Sequence, residues 1–149
     1  MKLVLPATLQ EQITREAKAA YPLECCGLIE GAEEADSFCA TLLHPARNLA
    51  AAVDRFELDP ADHIAALKAA RGRGHALIGC YHSHPDGHAA PSQADQRGAA
   101  QANFLWLIAA TDGVQCRLAT FSYRGGRFEE VELSAVGADW VTSSLNERN

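Results

Sequence analysis

Several things are missing from this chain, and each absence narrows what it can be. No apolar run approaches the ~20 residues that a membrane-spanning helix needs. There is no Cys-x-x-Cys pair, so the framework of a structural zinc knuckle is absent. Positive charge is in deficit: 13 Lys and Arg face 19 Asp and Glu, for a net charge of −6 at pH 7. That balance disfavours nucleic acid or an anionic membrane as a partner. No internal repeat or low-complexity segment is visible. The apolar part of Met1-Lys2-Leu3-Val4-Leu5-Pro6 is too short for an export signal.

What remains is the composition of a soluble globular protein, 48% hydrophobic and 21% charged. One domain over residues 1–149 is the expectation, with length enough for a core. The cysteines are Cys25, Cys26, Cys39, Cys80 and Cys116, an odd number with no regular spacing. Without an export signal, reduced thiols and a cytoplasmic location follow. Cys26, Cys39, Cys80 and Cys116 lie in apolar, strand-like runs where cysteine acts as a small hydrophobe. Cys25, beside Cys26, is a minor candidate for redox or metal chemistry.

Chemistry is concentrated in one stretch, His82-Ser83-His84-Pro85 followed by Ser92 and Asp95. The run Ala76 to Tyr81 is short and apolar, as a buried strand is. If that strand continues to His84, alternation points His82 and His84 to one face. Pro85-Asp86-Gly87 supplies a turn. Ser92 then serves as an N-cap, with Asp95 three residues on in the capping-box position. Two imidazoles and a carboxylate suit zinc, with a fourth position left for water. The plainer alternatives are two polar residues facing solvent and a helix cap without chemistry. Ser92 caps the helix, lines the site, or does both.

The pattern His-x-His-Pro, seven residues, Ser-x-x-Asp resembles the signature of the JAMM (MPN-plus) metalloprotease family. It matches at His82, His84, Pro85, Ser92 and Asp95. The family also carries a Glu far upstream, and Pro22-Leu23-Glu24-Cys25-Cys26-Gly27-Leu28 is similar to that context. Arg55-Phe56-Glu57-Leu58-Asp59-Pro60 resembles the compact bacterial members, so the likeness runs from about Ala20 to Ile108. The resemblance implies one zinc per chain, held by His82, His84 and Asp95. It implies Glu24 as general base and then acid, and Ser92 as donor to the developing oxyanion. Nothing in spacing alone selects Glu24, which otherwise reads as an exposed acid before a strand. The implied fold is α+β: a curved mixed β-sheet flanked by helices, similar in layout to zinc deaminases.

Local pattern gives the expected elements. Thr8 and Glu11 form a capping box for a helix with Leu9, Ile13 and Ala17 on one face, ending before Pro22. Gly27 to Glu30 and Phe38 to Leu43 are strands around a turn at Gly31 to Asp36. Val53 to Leu58 is a short strand. Asp59 and Pro60 open a second helix with Ile64 and Leu67 inward, ended by Gly72 and Gly74. A third helix runs from Ser92 to about Ala102. Strands follow at Phe104 to Ala110, Val114 to Tyr123 and Phe128 to Leu133. The tail with Trp140 and Val141 docks as a short helix, and its last four residues are disordered. His63 and His75 are assigned to the surface, and His44 and His88 to loops. Asp86 is a minor candidate for substrate contact.

Three functions are distinguished. The resemblance implies a zinc peptidase or isopeptidase cleaving after the Gly-Gly tail of a ubiquitin-like or sulfur-carrier protein. The alternative is a non-catalytic MPN-type scaffold or interaction domain, which the intact Glu24, His82, His84 and Asp95 argue against. A nucleobase deaminase needs His-x-Glu and Pro-Cys-x-x-Cys, and neither occurs.

Overall fold

The computed structural model describes residues 1–99 and 104–135. Strand β1 (Lys2–Val4) leads to helix α1 (Ala7–Ala20), then to the hairpin of β2 (Cys26–Glu34) and β3 (Ser37–Ala46). Helix α2 (Pro60–Gly72) precedes β4 (Ala76–His84), and the short α3 (Gln93–Gly98) precedes β5 (Leu105–Thr111). The meander of β6 (Cys116–Arg124) and β7 (Arg127–Ser134) follows. The tail around Trp140 and Val141 lies outside the described residues, whereas α3 ends at Gly98 with Ala99 extended, short of the expected Ala102.

The strands pair in the order β1-β3-β2-β4-β5-β6-β7, and β7 returns to β1. The sheet is mixed, with β4 and β5 parallel and β1 parallel to both its neighbours. The mixed sheet expected from the sequence is present, and it closes on itself as a barrel. The closing piece is β1, three residues long and too short to show alternation in the sequence.

Two apolar layers use the two faces of this sheet. One joins Leu3, Ile29, Phe38, Tyr81, Leu105, Leu107 and Val131 to Ile13 and Ala17 of α1. The other gathers Leu28, Cys80 and Trp106 under Ala66 of α2. Every residue of β5 is buried, with Leu105, Leu107 and Ala109 in the first layer and Trp106 between them in the second.

Several local expectations change. Helix α1 begins at Ala7, its N-cap is Pro6, and no side chain caps it. Pro6 has a φ of −52° and no N–H to satisfy, so the helix starts ahead of Thr8. Helix α2 starts as expected, with the Asp59 side chain accepting from the Ala61 N–H at 2.9 Å. Its inward face, however, is Ala66 and Ala70, while Ile64 is exposed. Small side chains let α2 lie close on β2 and β4. The stretch at Val53 to Leu58 is a loop with a single bridge, Asn48 to Leu58. The β2–β3 turn tightens to Ala35 and Asp36, because β2 continues to Glu34 past a bulge at Gly31.

The largest surprise is Glu30, fully buried on β2. Arg73, just beyond α2, donates to both of its carboxylate oxygens, at 2.8 and 2.6 Å. His75 Nδ1 lies 2.7 Å away and His44 Nε2 2.9 Å away. Neither His75 nor His44 is therefore a bystander: both turn toward a charge that burial would otherwise make costly. The Arg73 guanidinium, helped by His75 and His44 and opposed by burial, holds the Glu30 carboxyl well below the usual range. A depressed acid stabilises the fold above its ordinary value of 4.5, and that contribution fades as pH falls toward the native value. Urea melts at graded pH should show wild type losing stability more steeply below pH 4.5 than Glu30→Gln.

Gly27 is fixed by a neighbour. A Cβ there would collide with the Tyr81 ring, whose hydroxyl donates to Glu16 Oε1 of α1 at 2.7 Å. Gly27→Ala is expected to cost about 1–3 kcal/mol of unfolding free energy, read from denaturant melts.

Candidate metal centre

Strand β4 builds the centre. Ile29 pairs with Gly79 and Glu30 with Leu77, so Ile78 is an extra residue that resets the alternation. From Cys80 onward the strand alternates: Cys80, His82 and His84 share one face, Tyr81 and Ser83 the other. His82 is fully buried, and His84 and Asp95 nearly so.

The three approach one point. The two Nε2 atoms are 2.9 Å apart. Asp95 Oδ1 is 3.1 Å from His82 Nε2, and Oδ2 is 3.0 Å from His84 Nε2. Asp95 is held there by its helix start: Ser92 N donates to Oδ2 at 2.8 Å, and Asp95 N donates to Ser92 Oγ at 3.0 Å. The capping box thus forms as expected, and it aims a ligand-type oxygen at the strand.

His84 Nδ1 is 2.8 Å from the His88 carbonyl, an oxygen that only accepts, so the proton sits on Nδ1. In the neutral ring the Nε2 lone pair then faces another ring nitrogen and a carboxylate. Lone pairs converging at this range repel unless a proton or cation stands among them. The residues therefore fit a metal with mixed nitrogen and oxygen ligands. Charge follows the same logic. Burial works against the Asp95 anion, yet His82 and His84 hold its carboxyl well below the usual range. Burial pulls His82 down. In His84 burial is outweighed by Asp95, the His88 carbonyl and Glu24, so its value rises.

Glu24 arrives from the other direction. One of its carboxylate oxygens lies within 4.8 Å of ligand nitrogens of both His82 and His84. It is buried, and Oε1 has no hydrogen-bond partner. Burial, with Asp95, Asp54 and Asp86 adding and His84 opposing, pushes its carboxyl up to about 8. Its neighbour fixes it to the strand: Cys25 N donates to Ser83 Oγ at 2.8 Å, and Ser83 N donates to the Cys25 carbonyl at 3.1 Å. Ser83 thus earns its place between the two histidines, a role that spacing did not reveal.

Asn48 was also missed. Its Nδ2 donates to the Glu24 carbonyl at 2.9 Å, and its Oδ1 accepts from Ala50 N and Glu57 N at 3.0 and 2.9 Å. One side chain ties the segment carrying Glu24 to both ends of the 49–57 loop. The only hint in the sequence was an Asn ahead of a stretch without clean periodicity. Ser92 proves to be both cap and wall. It lines a cleft of about 400 Å³ with Glu24, His84, Pro85, Asp86, Tyr21, Pro22, Val53 and Asp54. His88 is exposed, as expected of a loop residue, and only its carbonyl reaches the centre. No cysteine joins the metal-competent group among the described residues. Burial pushes the Cys25 and Cys26 thiols up to about 11 and about 12, so both stay protonated.

Residues 6–122 match the family described as prokaryotic homologs of the JAB domain, and the chain belongs to it. It is 30% identical over 138 residues to the desampylase of Haloferax volcanii, covering 89% of this chain and 96% of that protein. It is 32% identical over 117 residues to a probable TtuB-protein conjugate cleaving protease of Thermus thermophilus, covering 78% and 75%. The fold is shared with a JAB1/MPN domain protein from Archaeoglobus fulgidus, with a TM-score of 0.56, 20% identity and coverage of 92% and 97%. These relatives mark the chain as a JAMM-type hydrolase, which sets the scaffold reading aside. No helix among the described residues is long and apolar enough to cross a membrane.

Asn48→Ala removes three hydrogen bonds at the neck of the loop. It should lower the unfolding free energy by about 2 kcal/mol in denaturant melts.

Proposed function

We propose that the chain is a zinc-dependent isopeptidase or peptidase that cleaves after the Gly-Gly tail of a small ubiquitin-like or sulfur-carrier protein. The observation that carries this reading is the meeting of His82, His84 and Asp95 with Glu24, beside a cleft that Glu24 and His84 line. Two relatives, a desampylase and a probable conjugate-cleaving protease, support a conjugate of that kind as substrate.

His82, His84 and Asp95 would hold the zinc. When bound, the metal supplies Lewis acidity, making water nucleophilic near neutral pH and polarising the scissile carbonyl. Glu24 takes the proton from the attacking water. It then returns that proton to the leaving amine. Its buried, unpartnered oxygen suits a group that must change protonation state during turnover. Ser92 Oγ accepts from Asp95 N and keeps its own proton to donate to the developing oxyanion. The tail would lie along the cleft lined by Val53, Asp54, Pro85 and Asp86. Two glycines pass there because they carry no side chain to clash. Asp86 thereby becomes a substrate contact.

Purified protein should hold one zinc per chain, and His84→Ala should lose it. Glu24→Gln should keep zinc and melting temperature while its turnover falls by about 10²–10⁴-fold. The substrate is a ubiquitin-like carrier joined through its Gly-Gly carboxyl to a fluorescent amine. Wild-type turnover by Glu24→Gln would remove Glu24 from the mechanism; wild-type protein without zinc would remove the metal.

A further inference from the structure

The two histidines of the centre are supported in different ways. His84 is oriented by a hydrogen bond from Nδ1 to the His88 carbonyl at 2.8 Å. Such a bond to the far nitrogen is the usual means of aiming a metal-binding imidazole. His82 has none: its Nδ1 is buried and has no partner. Something else must hold that ring.

Phe56 lies against it. The ring centroids are 4.4 Å apart with an interplanar angle of 26°, a stacked arrangement. Trp106 of β5 meets the same imidazole edge-on, at 5.8 Å and 89°. Phe56 and Trp106 also touch each other, at 6.0 Å and 65°. His82 is thus enclosed by two aromatic walls, and its plane is set by the stack. Phe56 is only half-buried, yet His82 beneath it is fully excluded from solvent. The half-exposed side chain is therefore a cover as well as a contact.

We infer that Phe56 is a positioning residue for His82: its stacked ring takes the place of the missing Nδ1 hydrogen bond and keeps Nε2 turned toward His84 and Asp95. The inference rests on the zinc reading above. It also gives the 49–57 loop a second task. That loop, tied at its neck by Asn48, presents Val53 and Asp54 to the cleft and Phe56 to the metal ligand. The wall of the cleft and the cover of His82 are one segment.

The test measures zinc affinity by chelator competition, with the visible spectrum of the cobalt-substituted protein as a second readout. Phe56→Leu keeps apolar bulk but loses the flat ring, and Phe56→Tyr keeps the ring. Phe128→Leu is the control: Phe128 packs edge-on against Trp106 at 5.4 Å, one residue removed from His82. Phe56→Leu should weaken zinc binding by about 10–100-fold and alter the cobalt spectrum. Phe56→Tyr should restore both, and Phe128→Leu should leave both at wild-type values. Urea melts of the chelator-treated proteins give the fold's own response to each change. Wild-type zinc affinity in Phe56→Leu would overturn the inference while leaving the zinc reading intact. Equal weakening in Phe128→Leu would also overturn it, as general loosening of the aromatic layer. If wild type binds no zinc, the zinc reading fails and this one with it.

Discussion

The antiparallel ladder between β2 and β4 is the constraint on which the rest of the centre depends. It sets Cys26 opposite His82 and lets Cys25 exchange two hydrogen bonds with Ser83, 58 residues away. Slip that register by one residue and every side chain on β4 changes face. The bulge at Ile78 is part of the same constraint, since it decides which parity of β4 carries the histidines. Gly27 belongs to it too, because only a residue without a Cβ leaves room for Tyr81 across the ladder.

Two buried glutamates show how differently one sheet can treat the same functional group. Glu30 meets Arg73, His75 and His44, and stays charged without access to water. Glu24 has an orphan oxygen and three other acids nearby, and its carboxyl is pushed up to about 8. The first arrangement satisfies a charge and anchors α2 to the sheet. The second disfavours the charge, so that the carboxyl keeps its proton well above the ordinary range, and perturbed acids of this kind cluster at functional sites. One carboxylate is satisfied on every side, while the other has an oxygen without a partner.

Much of this was legible in the residues, and the failures have physical causes. His82, His84 and Asp95 could be aligned because strand alternation and a capping box are local rules, and both hold here. Glu24 could not be found that way. Its place beside the histidines depends on pairing with a distant strand, and only family likeness pointed to it. His44 and His75 looked like ordinary polar positions because their partner, Glu30, sits in an apolar run where an acid leaves no local signature. The false strand at Val53 to Leu58 arose from residues with strand propensity. The Asn48 side chain takes the N–H groups of Ala50 and Glu57, and the segment closes as a loop. Closure of the sheet was hidden for a similar reason: three residues carry too little pattern to announce a strand.

That short first strand has a consequence for how the molecule comes apart. Lys2 pairs with Glu132, so the join between β1 and β7 brings together the most distant segments of the described chain. Such a join carries the greatest loop-closure entropy and only three residues of ladder to offset it. Around the ring of strands, β4 stands three places from β1 by way of β3 and β2, on the far side from this seam. The seam therefore lies apart from His82 and His84 on β4. Loss of the β1–β7 ladder alone would leave the β2–β4 and β4–β5 ladders, and the groups they aim, stitched together.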